Sequence, residues 1–493
     1  MVEVVETRTL SGHTVEHVWA ALKNFERYAD FMKDVISIEV DRIDSSQWLS
    51  VWNVHLNGVQ FSWVEKDILE APHRLAFELV EGDVEMLAGE WLIKQRPDGV
   101  EVTLSMEFDL GIPSMSQTLD PLARRALKSN VDGLLEGLDS MVSGAEPSAK
   151  GRISSPVRKP RLAHDPIFVS GHAAITGHPV EISQFKELAG DLELIATLKE
   201  RGLEYVACFK DQDEAFSTLL ECIEQVLDKT QTEAADIDAI FFTNGCSTWR
   251  SDDDKRLMRS LAKLNLAHCS IIGANMASCG NTGIAFRVAQ GVMASEQLSH
   301  ALLLTIDWVE SGQSRLSAPD IGMNADGVSA CLLTRDGGEF SIVDCLNYSD
   351  ADLADPTLAE TDPTKFLDLH IQGISKLLKN TLDVHGLTGK DIDLVLAPNL
   401  NSTLTYLIAV SVGMKRARVI APNIGKTAHV QTADALLNLQ TALDEHNPKR
   451  GAYWLLISSG PQAWSSVLLK AEQPARVVGR KEETRIIETV TRS

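Results

Sequence analysis

At 493 residues the chain exceeds one ordinary hydrophobic core, and its 44% apolar and 23% charged composition is that of a globular protein; two or three domains are expected. A formal charge of −23 argues against nucleic acid and anionic membrane as partners, since both repel an acidic surface. No apolar run is long enough to span a bilayer, and Met1-Val2-Glu3-Val4-Val5-Glu6 lacks signal-peptide character, so a cytoplasmic location is expected.

Residues 1–142 open with a strand-like stretch and a helical segment from Thr14 to Leu22, followed by Phe25 to Met32. Alternating apolar and polar residues then predict strands over Ile36–Val40, Gln47–Leu56, Val59–Ile68, Arg74–Leu79, Glu85–Lys94 and Val100–Phe108. A long amphipathic helix is expected from about Asp120 to Met141, apolar at Leu122, Ala126, Leu127, Val131, Leu134, Leu135 and Leu138. The economical assembly of this order is a curved antiparallel sheet wrapped on its C-terminal helix. Trp63, Glu65, Trp91 and Met106 are candidate pocket residues in such a fold, or equally plain core.

The stretch from Phe25 to Val35, with Leu119-Asp120-Pro121-Leu122-Ala123 at the last helix, resembles the START-like polyketide cyclase and lipid-carrier superfamily. That resemblance implies an α+β helix-grip fold over residues 1–142 and a pocket that binds, or helps cyclise, a hydrophobic ligand.

Residues 143–165 are rich in Ser, Pro and Gly and carry five basic residues against two acidic ones. They read as an exposed linker, which either holds two acidic domains together or recruits an acidic partner. From 166 to 470 the pattern changes to helices alternating with near-continuous apolar strands, such as Ala239–Thr243, Ala301–Ile306, Leu394–Ala397 and Trp454–Ile457. Strands buried on both faces with helical crossovers mean α/β. Residues 471–493 form a charged, polar tail, expected to be loosely held.

All seven cysteines fall between residues 208 and 345 and none forms a C-x-x-C pair, which predicts reduced thiols with neither a disulfide framework nor a zinc site. Cys279 stands apart. It follows Ala274-Asn275-Met276-Ala277-Ser278 and precedes a good helix from Ile284 to Met293. A thiol at a helix N-terminus meets free N–H groups and the positive end of the dipole, which favour the thiolate and make it a candidate nucleophile for acyl chemistry.

The order of segments around Cys279 resembles the ketoacyl-synthase III branch of the thiolase superfamily over about 300 residues. The marks are the strand and turn from Asp236 to Asn244, the Cys279 segment with its helix, the strand reaching Asp307, the stretch Asn324 to Leu333, and the glycine loop Tyr453 to Pro461. The resemblance implies a duplicated five-layer αβαβα thiolase-like fold, an obligate homodimer through that domain, and a Cys that accepts an acyl group from a thioester. It also implies a His and an Asn, on two later loops, that stabilise a thioester oxygen. Preorganised donors in a dry pocket are what such a developing charge requires.

Both loops depart from the common pattern. The first is Leu396-Ala397-Pro398-Asn399-Leu400-Asn401 where typical members read Pro-His-Gln-Ala-Asn; the second is Gly425-Lys426-Thr427-Ala428-His429 where they read Gly-Asn-Thr-Ser. The pair is therefore expected in exchanged places, Asn399 on the first loop (Asn401 as its fallback) and His429 on the second. His429 is the candidate base toward Cys279; Asn399 is expected to donate its amide N–H to a carbonyl oxygen. Asp434 either orients the imidazole or caps the following helix. Lys415, Arg416 and Arg418 form a cationic cluster that would draw an acyl carrier protein or the phosphates of a coenzyme A or phosphopantetheine thioester, or is a solvated turn.

The expected activity is a 3-oxoacyl-(acyl-carrier-protein) synthase III-like acyltransferase. An acyl-Cys279 intermediate condenses with a malonyl-type thioester in polyketide or fatty-acid type biosynthesis, and the N-terminal domain binds or cyclises the product. Its substrates are coenzyme A or phosphopantetheine thioesters, with no tightly bound cofactor and no metal. The alternatives are acyl transfer to a hydroxyl or amine, and a non-catalytic scaffold.

Overall fold

In the computed structural model, residues 2–145 and 166–472 are described apart from 33, 57–58, 110–115, 246–248, 318–321, 356, 412 and 414–417. The linker from 146 and the tail from 473 lie outside the described residues, as do Lys415 and Arg416 of the expected cationic cluster.

The first domain is one antiparallel sheet of seven strands: β1 (Val2–Leu10), β2 (Val35–Arg42), β3 (Gln47–Leu56), β4 (Val59–Glu70), β5 (Arg74–Gly82), β6 (Met86–Arg96) and β7 (Gly99–Asp109), in the order β1-β7-β6-β5-β4-β3-β2. The short helices α1 (Val15–Leu22) and α2 (Tyr28–Phe31) connect β1 to β2, and the long helix α3 (Ser116–Val142) closes the concave face. Every expected strand forms, because its residues alternate between an inward face that is mostly apolar and an outward face. The inward set of β4, for instance, is Phe61, Trp63, Glu65, Asp67 and Leu69. Trp19, Phe25, Tyr28, Leu127, Val131, Leu134 and Leu138 complete that core from the helices.

The second domain is built on ten strands: β8 (Phe168–Thr176), β9 (Ala239–Thr243), β10 (Ser270–Ala274), β11 (His300–Asp307), β12 (Gly327–Thr334), β13 (Phe340–Ser349), β14 (Ile392–Leu396), β15 (Val419–Ile420), β16 (Tyr453–Ser459) and β17 (Ala463–Ala471). Their order is β10-β9-β11-β12-β8-β13-β17-β16-β14-β15. Numbered from its own first strand, each half reads 3-2-4-5-1, so the chain repeats one topology. Among the described residues, the strands of the two halves pair where Phe168 and Val169 meet Ser341 and Phe340.

Five helices position the site: α4 (Gln212–Thr230), α5 (Asn281–Glu296), α6 (Pro363–His385), α7 (Ser402–Ser411) and α8 (Asp434–Glu445). α5 and α8 each touch strands of both halves, α4 covers β8 and β12, and α6 covers β13 and β17. The central strands are buried along most of their length, β12 completely, as expected of a sheet covered on both faces, whereas edge strand β10 is buried only at Ala274. The two domains meet where β4 and α3 contact α6 and β4 contacts α7; Ile371 of α6 packs on the first domain's core. Among the described residues no helix is long and apolar enough to cross a membrane, and the six described cysteines are free thiols.

Candidate active site

Cys279 sits in a tight 3-10 turn, Ser278–Gly280, between edge strand β10 and α5. Its approach is bent: Met276 and Ser278 have φ of 89° and 50°, left-handed values costly for residues with a Cβ. Asn281 holds the bend. Its carbonyl accepts the Ala277 N–H at 2.8 Å and its amide donates to the Asn244 carbonyl at 2.8 Å. Glycine is required where this turn meets the second half, since a Cβ on Gly460 would stand 2.2 Å from the Ala277 oxygen and one on Gly283 2.4 Å from Ser465 Oγ. Cys279 is left 8% exposed, in the first turn that feeds a helix.

His429 is brought to it from a loop 150 residues later. The loop is pinned as a one-residue strand: the His429 N–H donates to Met323 O (3.1 Å) and its carbonyl accepts from Ala325 N (2.8 Å). His429 Nδ1 lies 2.5 Å from Asp434 Oδ2. Burial opposes a charge on the imidazole, but the Asp434 carboxylate and the Cys279 sulfur, which hydrogen-bonds with it, more than offset that and hold His429 well above the ordinary histidine range. With Nδ1 committed to the carboxylate, Nε2 is the nitrogen left for the thiol. Cys279, His429 and Asp434 thus stand in the order that a nucleophile, a base and its orienting group would take.

Asp434 is the first residue of α8, and its side chain turns back to the loop rather than capping the helix. Oδ2 also accepts the Asn399 N–H (2.8 Å), while Oδ1 accepts Asn399 Nδ2 (2.9 Å) and the Val430 N–H (2.8 Å). The donors saturate the carboxylate, which is only 3% exposed.

Asn399 therefore takes a place other than the one expected. One amide hydrogen goes to Asp434 and the other to Asn438 Oδ1 at 3.0 Å, so neither is free for a substrate oxygen. It is completely buried behind the carboxylate and holds Asp434 from there. Asn401 has a different task, accepting the Leu404 N–H at 2.8 Å as a cap of α7. Arg418 donates to the Lys390 and Ile392 carbonyls at 3.3 and 3.2 Å, which ties one arm of its guanidinium to the backbone instead of presenting it whole to a phosphate.

The sequence assigns no role to two residues of the site, although Asp307 marks the end of an expected strand. Asn438 links the first loop to α8, donating to Ala397 O at 2.8 Å and accepting from Asn399 and Asn423. Asp307, fully buried at the end of β11, accepts from Gly245 and Thr432; burial pushes its carboxyl up to about 6. Their spacing from Cys279 and His429 is long, and the only local hint was a polar residue closing an apolar strand.

In the first domain, Trp63, Glu65, Trp91 and Met106 do line one cavity, with Phe25, Trp52, Phe77 and Asn130 among its other walls. Its free volume is about 20 Å³, room for a water molecule. Glu65 Oε2 accepts from Trp63 Nε1 at 2.7 Å, and Asp67, two residues on, accepts from Ser50 Oγ at 2.6 Å. Burial raises both carboxyls, Asp67 to about 7 and Glu65 well above its ordinary range; the negative charge of Asp67 adds to the rise at Glu65.

Residues 11–135 match the family model described as polyketide cyclase / dehydrase and lipid transport. The rest of the chain has the fold of ketoacyl-synthase III-like enzymes. ChlB3, described as an acyltransferase, superposes with a TM-score of 0.54 at 17% identity, over 63% of this chain and 99% of its own. The 3-oxoacyl-(acyl carrier protein) synthase III FabH of Pseudomonas aeruginosa PAO1 gives 0.52 at 17%, over 63% and 99%. The priming β-ketosynthase of the R1128 polyketide biosynthetic pathway gives 0.50 at 15%, over 64% and 100%. Among curated proteins none matches the chain.

Proposed function

We propose that the chain is a thioester-dependent acyltransferase that carries the acyl group on Cys279 and passes it to a hydroxyl or amine. The observation that carries this reading is the Asp434–His429–Cys279 arrangement. His429 Nε2 takes the thiol proton, and the thiolate attacks the carbonyl carbon of a coenzyme A or acyl-carrier-protein thioester. The tetrahedral intermediate collapses, the departing thiol takes the proton back from His429, and acyl-Cys279 remains. An incoming hydroxyl or amine then gives its proton to the same nitrogen as it attacks, and Cys279 leaves as a thiolate that the imidazolium reprotonates. Asp434 keeps the proton on Nδ1 and stabilises the imidazolium in both steps. The description of ChlB3 as an acyltransferase is in keeping with this.

Condensation with a malonyl-type thioester is the second reading, favoured by the cyclase family match of residues 11–135 and by the ketosynthase neighbours. Against it stands Asn399, whose two amide hydrogens are already bound. In either case the first domain would bind the acceptor or product, and the layering of α4, β8–β12, α5 with α8, β13–β17 and α6 fits the αβαβα order. A homodimer is proposed through the open edge at β10, where Ile271 and Ile272 are half-buried and Met276 is 90% exposed. Sedimentation should give twice the chain mass, and Ile272→Glu should return it to one.

Intact mass after incubation with a panel of acyl-coenzyme A thioesters tests the core of the reading. An adduct that vanishes in Cys279→Ala is expected, and no adduct with any thioester would overturn it. Carbon dioxide released from malonyl thioester by the acylated enzyme would instead favour condensation.

A further inference from the structure

We propose that Asp307 is a positioning residue that holds Cys279 and His429 in register. The inference rests on the reading of Cys279 as a nucleophile activated by His429. Asp307 closes β11 between the two loops that flank this pair. Its Oδ1 accepts the Gly245 N–H at 2.7 Å, and its Oδ2 accepts both the N–H of Thr432, at 2.9 Å, and the Thr432 hydroxyl. Gly245 lies against the nucleophile turn: a Cβ placed on it would stand 3.4 Å from Cys279 N and 3.3 Å from Gln431 Oε1, and the Ser278 hydroxyl donates to its carbonyl at 3.4 Å. Thr432 comes three residues after His429, and its carbonyl accepts the Thr282 hydroxyl of α5 at 2.7 Å. One carboxylate thus fastens the loop beside Cys279 to the loop that carries His429.

A carboxylate at 0% exposure is costly unless donors surround it. Among the described residues no lysine or arginine pairs with Asp307, so its three hydrogen bonds, and the attraction of His429 across the site, are what keep it there. An asparagine cannot reproduce them, because its NH2 would face an N–H or a hydroxyl that itself needs an acceptor. The clamp would open on one side and the thiol–imidazole pair would separate.

The test is alkylation by iodoacetamide, followed residue by residue by mass spectrometry, with no thioester present. In the wild type Cys279 should react faster than half-buried Cys208. Asp307→Asn should slow Cys279 by about tenfold while the buried thiols Cys222, Cys331 and Cys345 stay protected. Thr432→Val, which removes only the hydroxyl, should slow it by about fivefold, and Thr432→Ser should restore the wild-type rate. Unchanged alkylation of Cys279 in Asp307→Asn would overturn the inference, and so would slowing accompanied by exposure of the other thiols, which marks general loosening. A wild-type Cys279 no faster than Cys208 would count against the nucleophile reading itself.

Discussion

Asp434 accepts from Asn399 twice, at 2.8 Å from the backbone N–H and 2.9 Å from the side-chain amide, and holds His429 Nδ1 at 2.5 Å on the other side. The carboxylate thus joins a loop 35 residues upstream to the histidine five residues before it. Asn399 reaches His429 through that carboxylate.

Asp434→Asn should cost about 10³-fold or more in transfer rate, and about 1–3 kcal/mol in stability, because its NH2 would face N–H donors that the carboxylate now satisfies. An amide at this position turns the imidazole to the wrong tautomer and no longer stabilises its charge. Single-turnover acylation and acceptor transfer should both fall by far more than the loss of stability accounts for.

Asn399→Ala removes one donor from Asp434 and one from Asn438 and leaves a small cavity, with an expected loss of about 1–3 kcal/mol in stability by denaturant titration. Asn399→Asp should be worse, since it sets two buried carboxylates against each other. The Ala variant should still form some acyl-Cys279 adduct, because the nucleophile and base remain. Complete loss of the adduct in folded Asn399→Ala would show that Asn399 touches the substrate directly.

Ala428, the residue before His429, is held at φ 59° and ψ −157°, a region that glycine adopts freely and alanine does not. Ala428→Gly should therefore raise the thermal midpoint, by an amount worth about 1 kcal/mol after the loss of chain entropy. A lowered midpoint would mean the methyl packs more usefully than the strain costs.

The carboxyls of Glu65 and Asp67 give the first domain a pH dependence of unusual sign. Asp67 keeps its proton to about 7 in the fold, whereas an unfolded aspartate releases it near 3.9. Between those values the folded chain binds more protons than the unfolded one, so stability falls as pH rises across the window. Glu65, raised further, extends the trend upward. Thermal unfolding of the first domain should come at higher temperature at pH 5.5 than at pH 8, and Asp67→Asn should flatten the slope. Equal midpoints for the wild type at both pH values would contradict the burial seen for this pair.

Much of the architecture was legible because it is local. The inward alternation of β4, the apolar face of α3 and the unbroken apolar runs of β11 and β16 are statements about neighbours two to four residues apart, and the observed elements match the expected ones closely. Cys279 was legible for the same reason, as a small-residue turn opening a helix. The roles of Asn399, Asn401 and Arg418 were not, because hydrogen-bond capacity is assigned only when distant groups meet. Asparagine donates to whichever acceptor arrives, and here Asp434 and Asn438 arrived first.

The sequence by itself determined the two-domain order, the class of each domain, and the thiol and imidazole from which chemistry could be built. It did so because periodicity, glycine placement and residue type act over a few bonds. Only the tertiary structure decided that Asp434 turns inward to His429, that Asn399 stands behind that carboxylate, and that Asp307 fastens Gly245 to Thr432. Those choices follow from which buried donors and acceptors are left to satisfy one another once strands and helices have packed.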